Sequence, residues 1–362
     1  MNKNISKPKY FILKLASRCN LKCTYCYWFR DKSVYEKPKK IKDEIVDFFL
    51  DKLQKHINKY KLTDITISFH GGEPMLYGKK KTIQLCEKIK NIKVNNLTLA
   101  MQTNGTFIDQ EWCDIINKYG IGVGISVDGI LHDKNRIFLN GRGSLSETIN
   151  GINLMKKNNI NFGVLSVYDD EIKDAQKFVD FFKKLNLHEF DILIPDVNHD
   201  YENIPQISNF YNDLFNIYLK DKDLKIRFFD QVVKSFYHNN SMEVNILGDV
   251  NHGLFKHMVT INTDGSIEPE DSIRTSGYKA CETTKNVRTH NLDTLLNDDK
   301  IQNMYQSAQL PKECEPCIWK KVCAGGDFTH RYSSKTQDYS KKTPYCNQLK
   351  NIFNHMATTL IN

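Results

Sequence analysis

The chain has 362 residues, 40% of them hydrophobic, enough for one large α/β domain with a smaller companion. That composition excludes a disordered chain, and no run approaches the ~20 apolar residues that a membrane span requires. The net charge of +8 is spread without a single basic block, which argues against a nucleic-acid partner, and the polar opening MNKNISKPKY leads into no signal peptide, so the expected location is cytoplasmic.

From Phe11 to about Ile194, short β-branched or apolar runs alternate with amphipathic stretches of helical period, the pattern of βα units around a parallel sheet. Strands are expected at FILKL, DITISFH, LTLAMQT, GVGISVD, NFGVLSV and EFDILIP, with helices over 43–60, 78–92, 110–119, 144–158 and 170–185. Six such units make an α/β fold of the partial (β/α)6 TIM-barrel type. Two more helices are expected over 208–239, and the hairpin TINTDGSIEP, turning at Asp264-Gly265, belongs to a second domain. The expected division is 1–247 and 248–362. Beyond Cys281, cysteine, glycine, proline and charged residues replace regular strands, as in a loop-rich fold organised by a metal site.

Ten cysteines in a cytoplasmic chain are expected as metal ligands rather than a disulfide framework. Cys19, Cys23 and Cys26, in SRCNLKCTYCYW, give C-x3-C-x2-C on the loop after the first strand, at the mouth where barrels place their chemistry. Three thiolates can hold a cubane of four irons and leave one iron open for a ligand, whereas zinc calls for a fourth close donor. Cys314, Cys317, Cys323 and Cys346 form a second, complete set of four, which by spacing suits zinc or iron-sulfur equally. Cys86 and Cys113 fall in expected helices and read as core thiols.

The first triplet, with Tyr25 before its last cysteine, resembles the signature of radical S-adenosylmethionine (SAM) enzymes. Later segments are similar to further motifs of that family: His70-Gly71-Gly72-Glu73-Pro74, Gln102-Thr103-Asn104-Gly105 and Ser126-Val127-Asp128-Gly129, each at a strand end. The resemblance implies a SAM-binding 4Fe-4S cluster on Cys19, Cys23 and Cys26 that cleaves SAM to a 5'-deoxyadenosyl radical. It implies SAM contacts at Tyr25, Gly71, Gly72, Glu73, Gln102, Asn104, Ser126 and Asp128. Two adjacent glycines let main chain approach a ligand closely. Arg136, or else Arg142, is expected at the SAM carboxylate or ribose.

The second cysteine set resembles the SPASM domain of peptide-modifying members of the family, which implies a small loop-rich iron-sulfur domain. A full domain of that kind carries two auxiliary clusters. Here Pro269-Glu270-Asp271 stands where Pro-Cys is usual, Asp327 stands four residues beyond Cys323, and only Cys281 remains nearby, so a single auxiliary 4Fe-4S cluster is expected.

The segments DGSIEPED and CAGGDFTHRYS look closest to maturases that form cyclophane-type crosslinks in ribosomally made peptides. The expected function is therefore a radical SAM peptide maturase that joins carbon to carbon, with Asp271, Glu270 or His330 as the base. The alternative is an anaerobic sulfatase-maturating enzyme that forms formylglycine; from another class comes a zinc-stabilised peptide-binding scaffold. The implied partners are a precursor peptide, a flavodoxin or ferredoxin as electron donor and, with Cys19 so near the start, a leader-recognition protein if neither domain does that work.

Overall fold

The computed structural model describes residues 7–237 and 258–361. The strands in chain order are β1 Tyr10–Ala16, β2 Asp64–Gly71, β3 Asn96–Thr103, β4 Ile121–Ser126, β5 Phe162–Val167, β6 Glu189–Leu193, β7 Lys225–Ile226, β8 Met258–Ile261 and β9 Ile267–Glu268. Helices Asp43–Tyr60, Lys79–Ile89, Gln110–Tyr119, Leu145–Lys157 and Ala175–Lys184 follow the first five strands in turn, as the alternating pattern requires. The fold is α/β with a partial sheet of parallel strands. The expected boundary between residues 247 and 248 lies outside the described residues.

Two compact units divide the chain. The first contains Met1–Ser126, Arg136–Gly163 and Phe255–Gln302. Its strands run in the order β4-β3-β2-β1-β8-β9, parallel except for β9. Central β1 is buried on both faces, as parallel strands covered by helices are. Phe11 meets Phe49 and His56 of helix Asp43–Tyr60, whose inward residues Ile45, Phe49, Leu53 and Ile57 recur every four positions. On the opposite face β1 carries Lys14, fully buried. The hairpin read from the sequence as part of a second domain instead continues this sheet, with Phe11 opposite Val259 and Leu13 opposite Ile261. Its turn is wider than the two-residue form, spanning 262–266, and Gly265 takes a positive φ of 85° there.

The second unit contains Val127–Asn135, Val164–Leu254 and Asn303–Asn362. In it β6 pairs in parallel with β5 and β7. Its core is aromatic: Phe178, Phe182, Phe190 and Phe210 stack edge to face or in parallel. Helices Ser208–Lys220 and Arg227–Tyr237 stand where two were expected, and a further helix, Cys346–Ile361, was not expected. Its buried Leu349, Ile352, Phe353 and Met356 have helical spacing, which the surrounding asparagines and cysteines obscured in the sequence.

Candidate active site and cysteine clusters

The first cysteine loop leaves β1 and is held from two sides. The amide of Gly72 donates to the Ala16 carbonyl at 2.9 Å, and that of Glu73 to the Arg18 carbonyl at 3.0 Å. A Cβ on Gly71 would lie 2.1 Å from the Ala16 oxygen, and one on Gly72 would lie 2.4 Å from the Arg18 oxygen. The close approach that these glycines permit is thus to the chain's own cysteine loop. On the other side the Lys22 amide donates to the Ile137 carbonyl at 2.7 Å, and Leu21 bridges to Phe138.

All ten cysteines are free thiols. The Sγ of Cys19 receives the Leu21 amide at 3.3 Å and faces the Asn104 side-chain amide at 3.7 Å, while Arg136 presents Nη1 to Cys23 at 3.9 Å. Burial pushes the Cys19 and Cys26 thiols up from their usual range. Donors aimed at sulfur stabilise thiolates bound to a metal cluster, and metal binding removes the thiol protons. Three thiols in one loop, each kept from solvent only in part, fit the expected three-ligand set.

Around this loop the structure brings together most of the residues singled out in the sequence. Both oxygens of Glu73 are used inside the chain, Oε1 by the Met75 amide at 3.0 Å and the Thr103 hydroxyl at 2.8 Å, Oε2 by the Asn104 amide at 2.9 Å. It is a strut between the ends of β2 and β3; burial outweighs these bonds and raises its pKa to about 7. Gln102 donates to the Ser126 hydroxyl at 2.9 Å and lies over Gly124, where a Cβ would meet its Oε1 at 2.2 Å. Arg136 lies over the Tyr25 ring, 5.4 Å from its centroid, whereas Arg142 turns outward to Glu147 at 2.5 Å. Asp128 belongs to the second unit and accepts the Val167 amide at 3.1 Å.

Behind the loop lies a buried charge network that the sequence reading missed. Lys14 ion-pairs with Asp271, donates to His70 Nδ1 at 3.0 Å and lies over the Trp28 indole, 4.3 Å from its centroid. Asp271 also accepts the Tyr27 hydroxyl at 2.8 Å. Burial alone would raise the Asp271 carboxyl, but Lys14, His70 and the Tyr27 hydroxyl together outweigh it and hold the group well below the usual carboxylate range. Burial, with the charge of Lys14 added, lowers His70 to about 4, so this imidazole is a neutral acceptor. Arg274, also over Trp28 at 4.6 Å, pairs with Glu268 and with Asp31 at 2.6 Å, and Lys37 reaches Glu268 and Asp264 at 3.1 and 3.2 Å. The available signal was Lys14 itself, a lone charge inside the apolar strand FILKLA.

Within the second unit Cys314, Cys317, Cys323 and Cys346 line one small pocket of about 20 Å³ together with Trp319 and Phe353. Among the described residues no three Cys, His, Asp or Glu side chains are gathered as closely as a single metal ion requires. Four thiols lining one pocket fit an all-cysteine metal or iron-sulfur site. Burial raises Cys323 to about 12, and buried Arg331 beside them staples the carbonyls of Ala308, Gln309 and Lys341. Asp327, where a further thiol was sought, caps a turn through the Thr329 amide at 2.8 Å. Cys281, in the first unit, is buried with its Sγ 3.8 Å from the Glu270 carbonyl, and the Glu270 carboxylate caps the turn at Ser272 with an amide bond of 3.0 Å. His330 is buried in the second unit, 3.5 Å from Asp196.

Residues 13–182 match the radical SAM superfamily model. The cysteine-type anaerobic sulfatase-maturating enzyme of Clostridium perfringens is 26% identical over 98% of either chain. Among solved structures, native anSMEcpe with bound AdoMet and Cp18Cys peptide shares the fold at a TM-score of 0.82 and 22% identity, over 98% of either chain. Streptococcus suis SuiB bound to precursor peptide SuiA shares it at 0.61 and 17%, over 94% of this chain and 76% of that one. No described helix is long and apolar enough to cross a membrane.

Proposed function

The chain belongs to the radical SAM superfamily through its domain at residues 13–182, and from that premise we propose that it oxidises a side chain of a peptide, with conversion of a cysteine or serine to formylglycine as its reaction. Its cofactors are SAM and 4Fe-4S clusters, one that binds SAM and one auxiliary. The observation that carries the reading is the end-to-end similarity to a sulfatase-maturating enzyme, which leaves 2% of either chain unmatched. Crosslinking rests on two short segments, DGSIEPED and CAGGDFTHRYS, and similarity over the whole length outweighs them.

In this reading Cys19, Cys23 and Cys26 hold the SAM-binding cluster, and Cys314, Cys317, Cys323 and Cys346 hold the auxiliary one. When bound, the first cluster would supply the electron for reductive cleavage of SAM, the source of the radical that would oxidise the substrate. The chain's own part is placement. Asn104 and the Leu21 amide orient Cys19, Arg136 faces Cys23, and the Gln102–Ser126 pair at two strand ends presents polar atoms to SAM. The peptide reaches the chain together with an electron donor of the flavodoxin or ferredoxin class.

Crosslink formation stands as the second reading. It is favoured by the thiol count, since outside the two sets and the helical Cys86 and Cys113 only Cys281 remains. To decide, the protein is reconstituted without oxygen and given SAM, reductant and peptides bearing cysteine or serine in a sulfatase-like segment. About eight irons per chain and a peptide aldehyde trapped by a hydrazide are expected. Loss of two hydrogens with no aldehyde would promote crosslinking, and SAM cleavage with no change in any peptide would overturn the peptide reading.

A further inference from the structure

Asp271, one of the bases expected from the sequence, lies on the turn that follows β9 and is 2% exposed, so a proton that it takes up needs a path back to water. Both of its donors, the Lys14 ammonium and the Tyr27 hydroxyl, reach Oδ2, and no described residue donates to Oδ1. Lys14 is fully buried on β1, and its ammonium also donates to Nδ1 of His70 at 3.0 Å. An ammonium cannot accept, so Nδ1 is bare and the imidazole proton sits on Nε2. His70 stands one residue before the end of β2, and of the three groups it alone is partly exposed. The remaining charged or titratable neighbours are Arg274, whose charge is taken by Glu268 and Asp31, together with Glu270, Tyr27, Cys26 and Cys281.

We propose that Lys14 and His70 form the route by which a proton taken up by Asp271 leaves the site. The proposal rests on the reaction given above and on Asp271 being its base. Oxidation of a cysteine or serine side chain toward the aldehyde removes two hydrogens, one from carbon as an atom and one from sulfur or oxygen as a proton, while the second electron passes to an iron-sulfur acceptor. The proton binds the open Oδ1 of Asp271. Lys14 gives a proton to Nδ1 of His70, and His70 releases its own from Nε2 to water. A half-turn of the carboxyl then hands the bound proton to Lys14 and restores the ammonium, so one proton enters, one leaves, and all three groups end as they began. Burial lowers the proton affinity of Lys14, which suits it to the middle place, and His70, lowered to about 4, does not hold the extra proton. Both residues act through Asp271 and are not themselves bases toward the substrate.

The test uses the reconstituted holoenzyme with the cysteine or serine peptide, at equal iron content throughout. It compares the unaltered protein with His70→Gln, whose amide still accepts from Lys14 but cannot pass a proton on, and with His70→Ala, which leaves room for added imidazole. Product formation is expected to slow roughly a hundred-fold in both, the low end of what positioned proton transfer contributes, to show a larger solvent deuterium isotope effect, and to be partly restored by imidazole in His70→Ala. In the oxidised holoenzyme, the imidazole 15N signals that His70→Gln lacks should be those of a ring protonated at Nε2 and bare at Nδ1. Normal product formation by His70→Gln, or a His70 ring protonated at Nδ1, would overturn the relay. So would a loss that peptide-free SAM cleavage shares in full and that imidazole and heavy water leave untouched, as a purely structural role requires. Tyr27→Phe should slow the product less than His70→Gln does, and the reverse order would move the exit to the phenol. Asp271→Asn should form no product; normal product from it would remove the base and the relay together, whereas normal product from His70→Gln removes the relay alone. No aldehyde from the unaltered protein would strike the reaction itself.

Discussion

Arg274 carries two buried carboxylates, Glu268 and Asp31, and its removal would leave Asp31 without its counter-charge and Glu268 with Lys37 alone. Arg274→Ala is expected to destabilise the protein by about 3–5 kcal/mol in chemical denaturation of the metal-free form, the usual cost of breaking a buried ion pair on one side. Glu73 makes a different prediction. Its carboxyl is raised in the folded state, so the folded chain binds more protons than the unfolded one between about pH 4.5 and about 7. The contribution of this group is therefore greatest below that window and falls as pH rises through it. Glu73→Gln should flatten that fall, by at most about 3 kcal/mol across the window, when the two stability curves are subtracted. Neither residue's burial could be read from sequence. Glu73 was legible as part of a motif but not as a strut, because its three donors come from Met75, Thr103 and Asn104, two of them on another strand end.

Strands and helices of the first half were legible because their periods differ and each is long enough to repeat. The hairpin at 258–268 was legible as a hairpin but not as an edge of the first sheet, since parallel pairing of β1 with β8 leaves no local trace in either strand. The paired glycines were legible as a close approach, though the partner was the loop they support. Gly72→Ala should push a methyl group into the Arg18 carbonyl and displace the cysteine loop. The expected result is loss of SAM cleavage with about four irons retained, those of the second set; a full complement of about eight irons with normal cleavage would contradict the strut-and-loop account.

Each of the two compact units carries one cysteine set, with Cys86, Cys113 and Cys281 left over in the first. Exchange of Cys317 and Cys323 for alanine should therefore lower iron by about half and leave peptide-free SAM cleavage in place, while product formation is lost. The superfamily was legible because its signature rests on cysteines at fixed spacing. The reaction was not, because it is set by side chains that meet the substrate, and these share no spacing that a single sequence displays. Unit boundaries were likewise hidden, since the first unit is assembled from three stretches of chain. That assembly has a consequence for biosynthesis. Lys14 and its counter-ion are separated by 257 residues, so a ribosome that has made the first cysteine loop has most of its work ahead before Asp271 emerges. Contacts so remote close late and slow the overall rate. The charge network behind the loop is therefore completed only after residue 271 has been made.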